Sequence, residues 1–274
     1  VGALRADSAV SRDAARTRRT ARQGVMRRAA LVRSRPAVAT RRSRTSAAQT
    51  VRVAGVTISH PRRLIWPAQG IDKAALARYY ERVGPWILPH LKCRPLSLIR
   101  CPDGAAGHCF FQRHMGPARV EGVKTFVWER SKAGKRYLFV ATIPAVIQLV
   151  QQGVVELHTW GSLVPRPARP DRLTFDLDPD PALSWSRVAA AARLVRTLVE
   201  EVGLRAFLKT TGGKGLHLVV PLERRQEWDD VKSFARGVAE HLARAMPDRF
   251  TASAAKRERV GRIFVDYLRN AEAA

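Results

Sequence analysis

Asp176 and Asp178 stand two residues apart inside the run Leu173-Thr174-Phe175-Asp176-Leu177-Asp178-Pro179-Asp180. Side chains of an extended chain alternate between faces, so Leu173, Phe175 and Leu177 can bury while Thr174, Asp176 and Asp178 share the opposite face. Two carboxylates held side by side repel unless cations lie between them. Same-face neighbours on a strand are roughly 6–7 Å apart, a spacing that suits carboxylates sharing divalent cations about 3.5–4 Å apart, as in two-metal phosphoryl transfer. Asp178-Pro179-Asp180-Pro181 is also strong turn chemistry, and Asp180 is assigned to a turn.

The second concentration of chemistry is Lys209-Thr210-Thr211-Gly212-Gly213-Lys214-Gly215-Leu216-His217. Glycines let backbone N–H groups approach oxyanions, lysine supplies point charge, and hydroxyl and imidazole add directed donors. The run is not a Walker A loop, because Leu208 occupies the place of its first glycine and Gly215 follows Lys214 where Ser or Thr is required. Without a ligand the same run would be a plain hairpin. His217 alternates with Leu216 and Leu218 and so faces away from their core side. A third carboxylate, needed to hold two metals, is found in Phe264-Val265-Asp266-Tyr267-Leu268-Arg269-Asn270, with Arg269 and Asn270 placed to donate to the same ligand. Phe110 and Phe111 are adjacent, so one of them is expected to be exposed among Gln112, Arg113 and His114, as stacking on unpaired bases requires. Arg62, Arg63 and Lys73 suit backbone phosphates or simple solvation equally well.

The chain of 274 residues holds 49 Lys and Arg against 23 Asp and Glu, a net charge of +26 that points to a polyanionic partner. Residues 1–50 contain thirteen Arg, no Lys, no aromatic residue and only two acids, Asp7 and Asp13. They cannot bury enough apolar surface to offset chain entropy, and disorder is expected there. A targeting peptide, a nucleic-acid arm or a start site placed too far upstream all fit this segment. The remainder stays basic without it. No stretch has the length and apolarity of a membrane span, residues 1–50 lack the single apolar core of a secretory signal, and a cytoplasmic location is expected. Cys93, Cys101 and Cys109 recur every eight residues, neither a zinc pattern nor an even set. Reduced, mostly buried thiols are expected.

The elements that must position these residues follow from periodicity. Asp72 is placed to cap a helix with Leu76, Tyr79, Tyr80 and Val83 on one face, ended by Gly84 and Pro85. Short strands and hairpins are expected over 96–140, a helix over 143–152 and a strand over 154–157. The strand carrying Asp176 is followed by a helical stripe from Trp185 to Val199, strands at 204–209 and 216–220, a helix from Trp228 to Leu242, and a last strand at Ile263 to Tyr267. Mixed order without strict alternation makes the class α+β.

These blocks, in this order, are recognisable. Trp66-Pro67 with Gly70-Ile71 and Lys73, Phe110 to His114, His158 to Ser162, Asp176 to Pro179, Lys209 to His217 and Asp266 to Asn270 together resemble the polymerase domain of bacterial DNA ligase D, a branch of the archaeo-eukaryotic primase superfamily. The similarity covers about 51–270, the second of two expected segments, 1–50 and 51–274. It implies a primase-polymerase-like two-lobed mixed sheet with flanking helices. It also implies a templated nucleotidyltransferase filling gaps at DNA ends in non-homologous end joining.

By the same resemblance, Asp176, Asp178 and Asp266 would hold two divalent ions, Mn or Mg. His158, Thr211, Lys214, His217 and Arg269 would contact the incoming nucleoside triphosphate. Arg63 and Lys73 would recognise a 5′-phosphate, and Phe110 and Phe111 would stack on template bases. A Ku-like end-binding protein and a ligase domain are the implied partners, and the bacterial nucleoid the implied location. Arg63 replaces the more usual Lys, Thr211 the more usual Ser, and the family's domain continues past Asn270, so a piece truncated at its C-terminus is expected. Two other classes fit parts of the pattern: a basic nucleic-acid-binding module without turnover, and a haloacid-dehalogenase-like phosphatase, although the latter wants Thr or Val where Asp180 stands.

Overall fold

In the computed structural model the described residues are 50–116, 119–130 and 134–272. The Arg-rich segment expected to be disordered lies, apart from Thr50, outside them. The described residues fall within one compact unit, Thr45–Ala274.

The chain opens with a hairpin of β1 (Thr50–Val53) and β2 (Val56–Ser59), then pairs β3 (Leu64–Trp66) with β4 (Ile71–Asp72). Asp72 caps α1 (Lys73–Arg82) as expected, its Oδ1 accepting the Ala75 N–H at 2.7 Å. Gly84 and Pro85 do not simply end that helix. Proline has no N–H to lose in a first turn, and the pair opens α2 (Gly84–Leu91), an element the periodicity does not show.

A second sheet is built on β5 (Leu96–Arg100), which pairs antiparallel with β6 (Phe110–Gln112) and β9 (Val154–Thr159). β7 (Lys124–Val127) and β8 (Arg136–Phe139) complete it, and α3 (Ile143–Gln151) precedes β9. Ile58, Ile65, Leu96, Leu98, Leu138 and Ile147 form the core beneath this half.

The other half is a five-stranded sheet ordered β11 (Phe207–Thr210), β12 (Leu216–Pro221), β10 (Arg172–Pro179), β14 (Ile263–Asp266), β13 (Phe250–Thr251). All its pairings are antiparallel except β13 with β14. Helices α4 (Trp185–Glu201) and α5 (Trp228–Ala245) contribute Val195, Val199, Ala235 and Leu242 to a core shared with Leu173, Phe175 and Leu177. Those three side chains are at most 1% exposed, and burying each is worth up to about 2–3 kcal/mol. The alternation of β10 therefore locks its register, because a slip of one residue would drive Asp176 and Asp178 into the core.

The mixed sheets and two separate cores bear out the α+β expectation. Where the halves meet, Arg94 is buried and grips Asp171 with both ends of its guanidinium, at 2.7 and 2.6 Å.

The cysteine expectation is corrected. Cys101 and Cys109 form a disulfide, with Cys93 left as a free thiol. Gly104, at φ +88°, and Gly107 let the intervening loop fold back so that the two Cα atoms come within 4.3 Å. Equal spacing in sequence did not reveal that reversal.

Candidate active site

β10 and β14 bring the three carboxylates together. Asp176 pairs directly with Asp266 across the two strands, and Asp178 lies two residues further along β10. They line a cavity of about 300 Å³ with Thr211, Lys214, His217, Arg259 and Arg269. Asp176 Oδ2 accepts from Arg269 Nε at 3.0 Å and lies 3.3 Å from His217 Nε2. Burial alone would raise the Asp176 pKa, but the His217 hydrogen bond and charge, then Arg269, outweigh it and hold the group below the usual carboxylate range. Asp266 goes the other way. Burial and the facing Asp176 charge push it up, against the Leu268 N–H that its Oδ1 accepts at 2.8 Å.

Asp178 is held by two cations. Arg259 Nη1 donates to its Oδ2 at 2.6 Å, and Lys214 Nζ lies 3.3 Å from its Oδ1 while donating to the Pro179 carbonyl at 3.1 Å. Arg259 was not among the residues singled out. It also lies 4.1 Å over the Phe264 ring, and it reaches the cavity from a one-turn 3-10 helix whose basic run Lys256–Arg259 looks like ordinary solvated charge in sequence. Asp180 is a turn residue, as expected, accepting the Ala182 and Gly261 N–H groups at 2.8 and 2.9 Å.

The glycine-rich loop joins β11 to β12 at the Asp178 end of the site. Thr211 Oγ1 donates to the Gly215 carbonyl and accepts from Gly213 N, both at 3.2 Å, so its hydroxyl braces the loop as it lines the cavity. A Cβ on Gly215 would stand 2.5 Å from the Leu177 carbonyl. Glycine is required there for the loop to lie against β10.

Other candidate residues are placed elsewhere. His158 does not line the cavity; it sits on β9 with Nε2 2.8 Å from Glu156 Oε2 and its ring edge-on to Phe111, centroids 6.0 Å apart. Asn270 is not beside Arg269 as a second donor. It is buried, with Oδ1 accepting Thr174 N at 2.8 Å and Nδ2 donating to the Thr174 and Tyr267 carbonyls at 2.8 and 3.1 Å. It thereby replaces the strand partner that β10 lacks once β14 has ended. Phe110 and Phe111 are both exposed, at 38% and 51%, rather than one of the two. β6 is an edge strand, with Arg100 and Arg113 over the rings at 5.5 and 5.3 Å.

Arg63 and Lys73 meet in a separate cavity of about 120 Å³, lined also by Pro102 and Gln151. Lys73 is buried and donates to Ser59 O at 2.9 Å and Gln151 Oε1 at 3.3 Å. Burial, then Arg63, pushes its pKa down. Arg63 donates to the Pro102 carbonyl at 2.7 Å.

The acidic cavity has the donor chemistry for divalent ions, since carboxylate oxygens suit Mg²⁺ and Mn²⁺. Among the described residues no three His, Cys, Asp or Glu side chains stand together in a ready-made ligand set. Arg259 and Lys214 hold Asp178, whereas Asp266 faces Asp176 with only a backbone donor. The carboxylates suit metals by their chemistry, but Asp178 would first have to be released by Arg259 and Lys214.

Among the described residues no helix is long and apolar enough to cross a membrane. The model of the LigD primase-polymerase domain matches residues 72–274. The chain is 47% identical over 233 residues to the multifunctional non-homologous end joining protein LigD of Pseudomonas aeruginosa, covering 85% of this chain and 28% of that protein. With the multifunctional non-homologous end joining DNA repair protein LigD of Mycobacterium tuberculosis it shares 31% identity over 225 residues, 78% of this chain and 29% of the other. The chain thus spans less than a third of the length of these relatives. A solved structure of the polymerase domain from Mycobacterium tuberculosis ligase D in complex with DNA superposes with a TM-score of 0.74 at 27% identity, covering 80% of this chain and 79% of that one. Family model, relatives and architecture agree with one another, and the chain belongs to the LigD primase-polymerase domain family.

Proposed function

We propose that this chain adds nucleotides to the 3′ end of a DNA primer opposite a template, filling gaps at broken ends during non-homologous end joining. One observation carries the proposal: three carboxylates from neighbouring strands open into the same cavity as Lys214, His217 and Arg269. Such a cavity can hold anionic substrate and cations at once.

Asp176, Asp178 and Asp266 are the groups that would hold two divalent ions, which when bound would lower the pKa of the primer hydroxyl and stabilise the leaving pyrophosphate. Lys214, His217 and Arg269 point at the same space and would offset charge growing on the transferred phosphoryl group. Arg269 and His217 hold Asp176 ionised in the meantime. A triphosphate offers Lys214 and Arg259 a stronger anion than the single carboxylate they now share, which would free Asp178.

Phe110 and Phe111, exposed and flanked by Arg, suit stacking on template bases. The buried ammonium of Lys73 beside Arg63 suits a terminal 5′-phosphate. His158, next to Phe111, would meet the nucleotide only where template and triphosphate converge. A Ku-like end-binding protein and a ligase domain are the partners this activity calls for.

The test offers gapped DNA with a 5′-phosphate, one complementary nucleotide and Mn²⁺. Extension of the primer by a single residue is expected, more slowly when the 5′ end is a hydroxyl. Binding without extension, or release of phosphate from a monoester in its place, overturns the proposal.

A further inference from the structure

On the sheet face that carries the aspartates, running from the Asp176 row away from the glycine-rich loop, lies a second group of side chains to which the reaction above assigns no role. Lys209 pairs with His217, and His217 with Asp176, so the three share one face and one row. Two residues back along β11, Phe207 pairs with Val219, which in turn pairs with Thr174. Phe207 is 50% exposed, with the Arg205 guanidinium 5.4 Å from its ring centre. Four residues before Asp176 on the same face of β10 is Arg172, whose Nη2 lies 3.5 Å from His90 Nδ1 of α2.

Among the described residues none of these positive groups forms an ion pair with a carboxylate. Asp171 is taken at both oxygens by Arg94, and Asp176 is taken at Oδ2 by His217 and Arg269. The Lys209 ammonium reaches water and donates no hydrogen bond among the described residues. Desolvation, then Arg172 and Arg269, presses its pKa down against the attraction of Asp176. Desolvation, then Arg172, Arg94 and Lys209, does the same to His90. Cations gathered against mutual repulsion around an exposed ring match the composition that tracks a single nucleic-acid strand.

Position decides which strand. Thr211–Gly215 closes the opposite end of the site, and Phe110 and Phe111 lie on the other sheet. Strand rise puts Arg172 about 13 Å from Asp176, and a nucleic-acid strand carries one phosphate per about 3.4 Å of axis. We propose that Arg172, Lys209 and Phe207, flanked by His90 and Arg205, hold the backbone of the primer strand within about four nucleotides of its 3′ end. The assignment rests on the polymerase function above and names the surface that delivers the 3′ hydroxyl to Asp176. Phosphate is the shared chemistry, and a nucleoside triphosphate is its other possible source.

Lys209→Glu and Phe207→Ala change exposed positions on an edge strand, and retained thermal unfolding shows that they fold. Affinity for primed duplex and for the unprimed template strand is measured by fluorescence anisotropy between 50 and 200 mM salt, with nucleotide KM from primer extension. Lys209→Glu is expected to weaken primed-duplex binding about tenfold and to lower the salt slope by about 1. Phe207→Ala should weaken it without changing the slope. Template-strand affinity and nucleotide KM should stay within about twofold. Unchanged primed-duplex affinity overturns the proposal, as does a raised nucleotide KM with DNA binding intact, which would give these cations to the triphosphate. A wild-type protein whose DNA binding responds to the variants as expected but which extends no primer overturns the polymerase function and supports the strand track.

Discussion

Asp176 and Asp266 face each other as direct partners across antiparallel strands, yet their environments drive them apart. Asp176 is held ionised by His217 and Arg269, while Asp266 is pushed toward its protonated form by burial and by Asp176 itself. Two facing carboxyl groups whose pKa values are driven in opposite directions are the feature on which the proposed metal site rests.

The sign of each shift fixes a pH prediction. Asp176, depressed, contributes stability at neutral pH that is lost as pH falls through its folded-state pKa; Asp266, raised, is stabilising only while protonated and loses that contribution as pH rises through its own. Asp266→Asn should therefore be more stable than wild type at pH 7, by about 1–2 °C in Tm after solvent screening, and inactive in extension. A lower Tm at pH 7 would contradict the assignment. Mn²⁺ affinity of the wild type, followed by calorimetry, should fall with acidification at a higher pH than an ordinary aspartate predicts, because protons compete at Asp266.

Asp178→Ala should reduce primer extension by at least about a thousandfold and leave DNA affinity within about twofold. Binding should persist because the proposed DNA-contacting residues Lys73, Phe110 and Phe111 lie in other parts of the molecule. Single-turnover extension and anisotropy on the same preparation separate the two effects. Extension at the wild-type rate would remove Asp178 from the reaction.

Asn270→Ala should destabilise the chain by about 2–3 kcal/mol, since it strands the Thr174 N–H and carbonyl in a buried setting. Arg269 is carried on the same turn, so nucleotide KM should rise as well. Urea denaturation and steady-state kinetics check both, and a change in KM without loss of stability would mean that Asn270 touches the nucleotide directly.

Gly215→Ala should cost about 1–3 kcal/mol through overpacking against the Leu177 carbonyl. Activity should fall further than stability, because Thr211 and Lys214 move with the loop. Thermal unfolding beside extension assays reads this directly.

Reduction of Cys101–Cys109 should lower stability by about 2–3 kcal/mol, the loop-closure contribution of a nine-residue ring. Chemical denaturation with and without reductant measures it, and a Cys93→Ser variant should respond in the same way.

Much of the site is legible in the linear chain because it is written in a strand. The alternation Leu173-Thr174-Phe175-Asp176-Leu177-Asp178 states which side chains go to the core and which to the cavity, and the glycines around Lys214 announce a tight turn. What alternation cannot state is which strand lies next door. That Asp266 faces Asp176, that Arg259 closes on Asp178, and that Asn270 turns inward to serve β10 all depend on contacts across 81 to 96 residues. The pairing of Cys101 with Cys109 and the start of α2 at Gly84 were hidden for a different reason. Both follow from glycine and proline conformations whose outcome is chosen by the surrounding packing. Local chemistry, set by residue type and period, was determined by the sequence alone. The meeting of three carboxylates with their cations was decided by the fold, because the two cores beneath the sheets, and not the polar residues themselves, fix strand order and register.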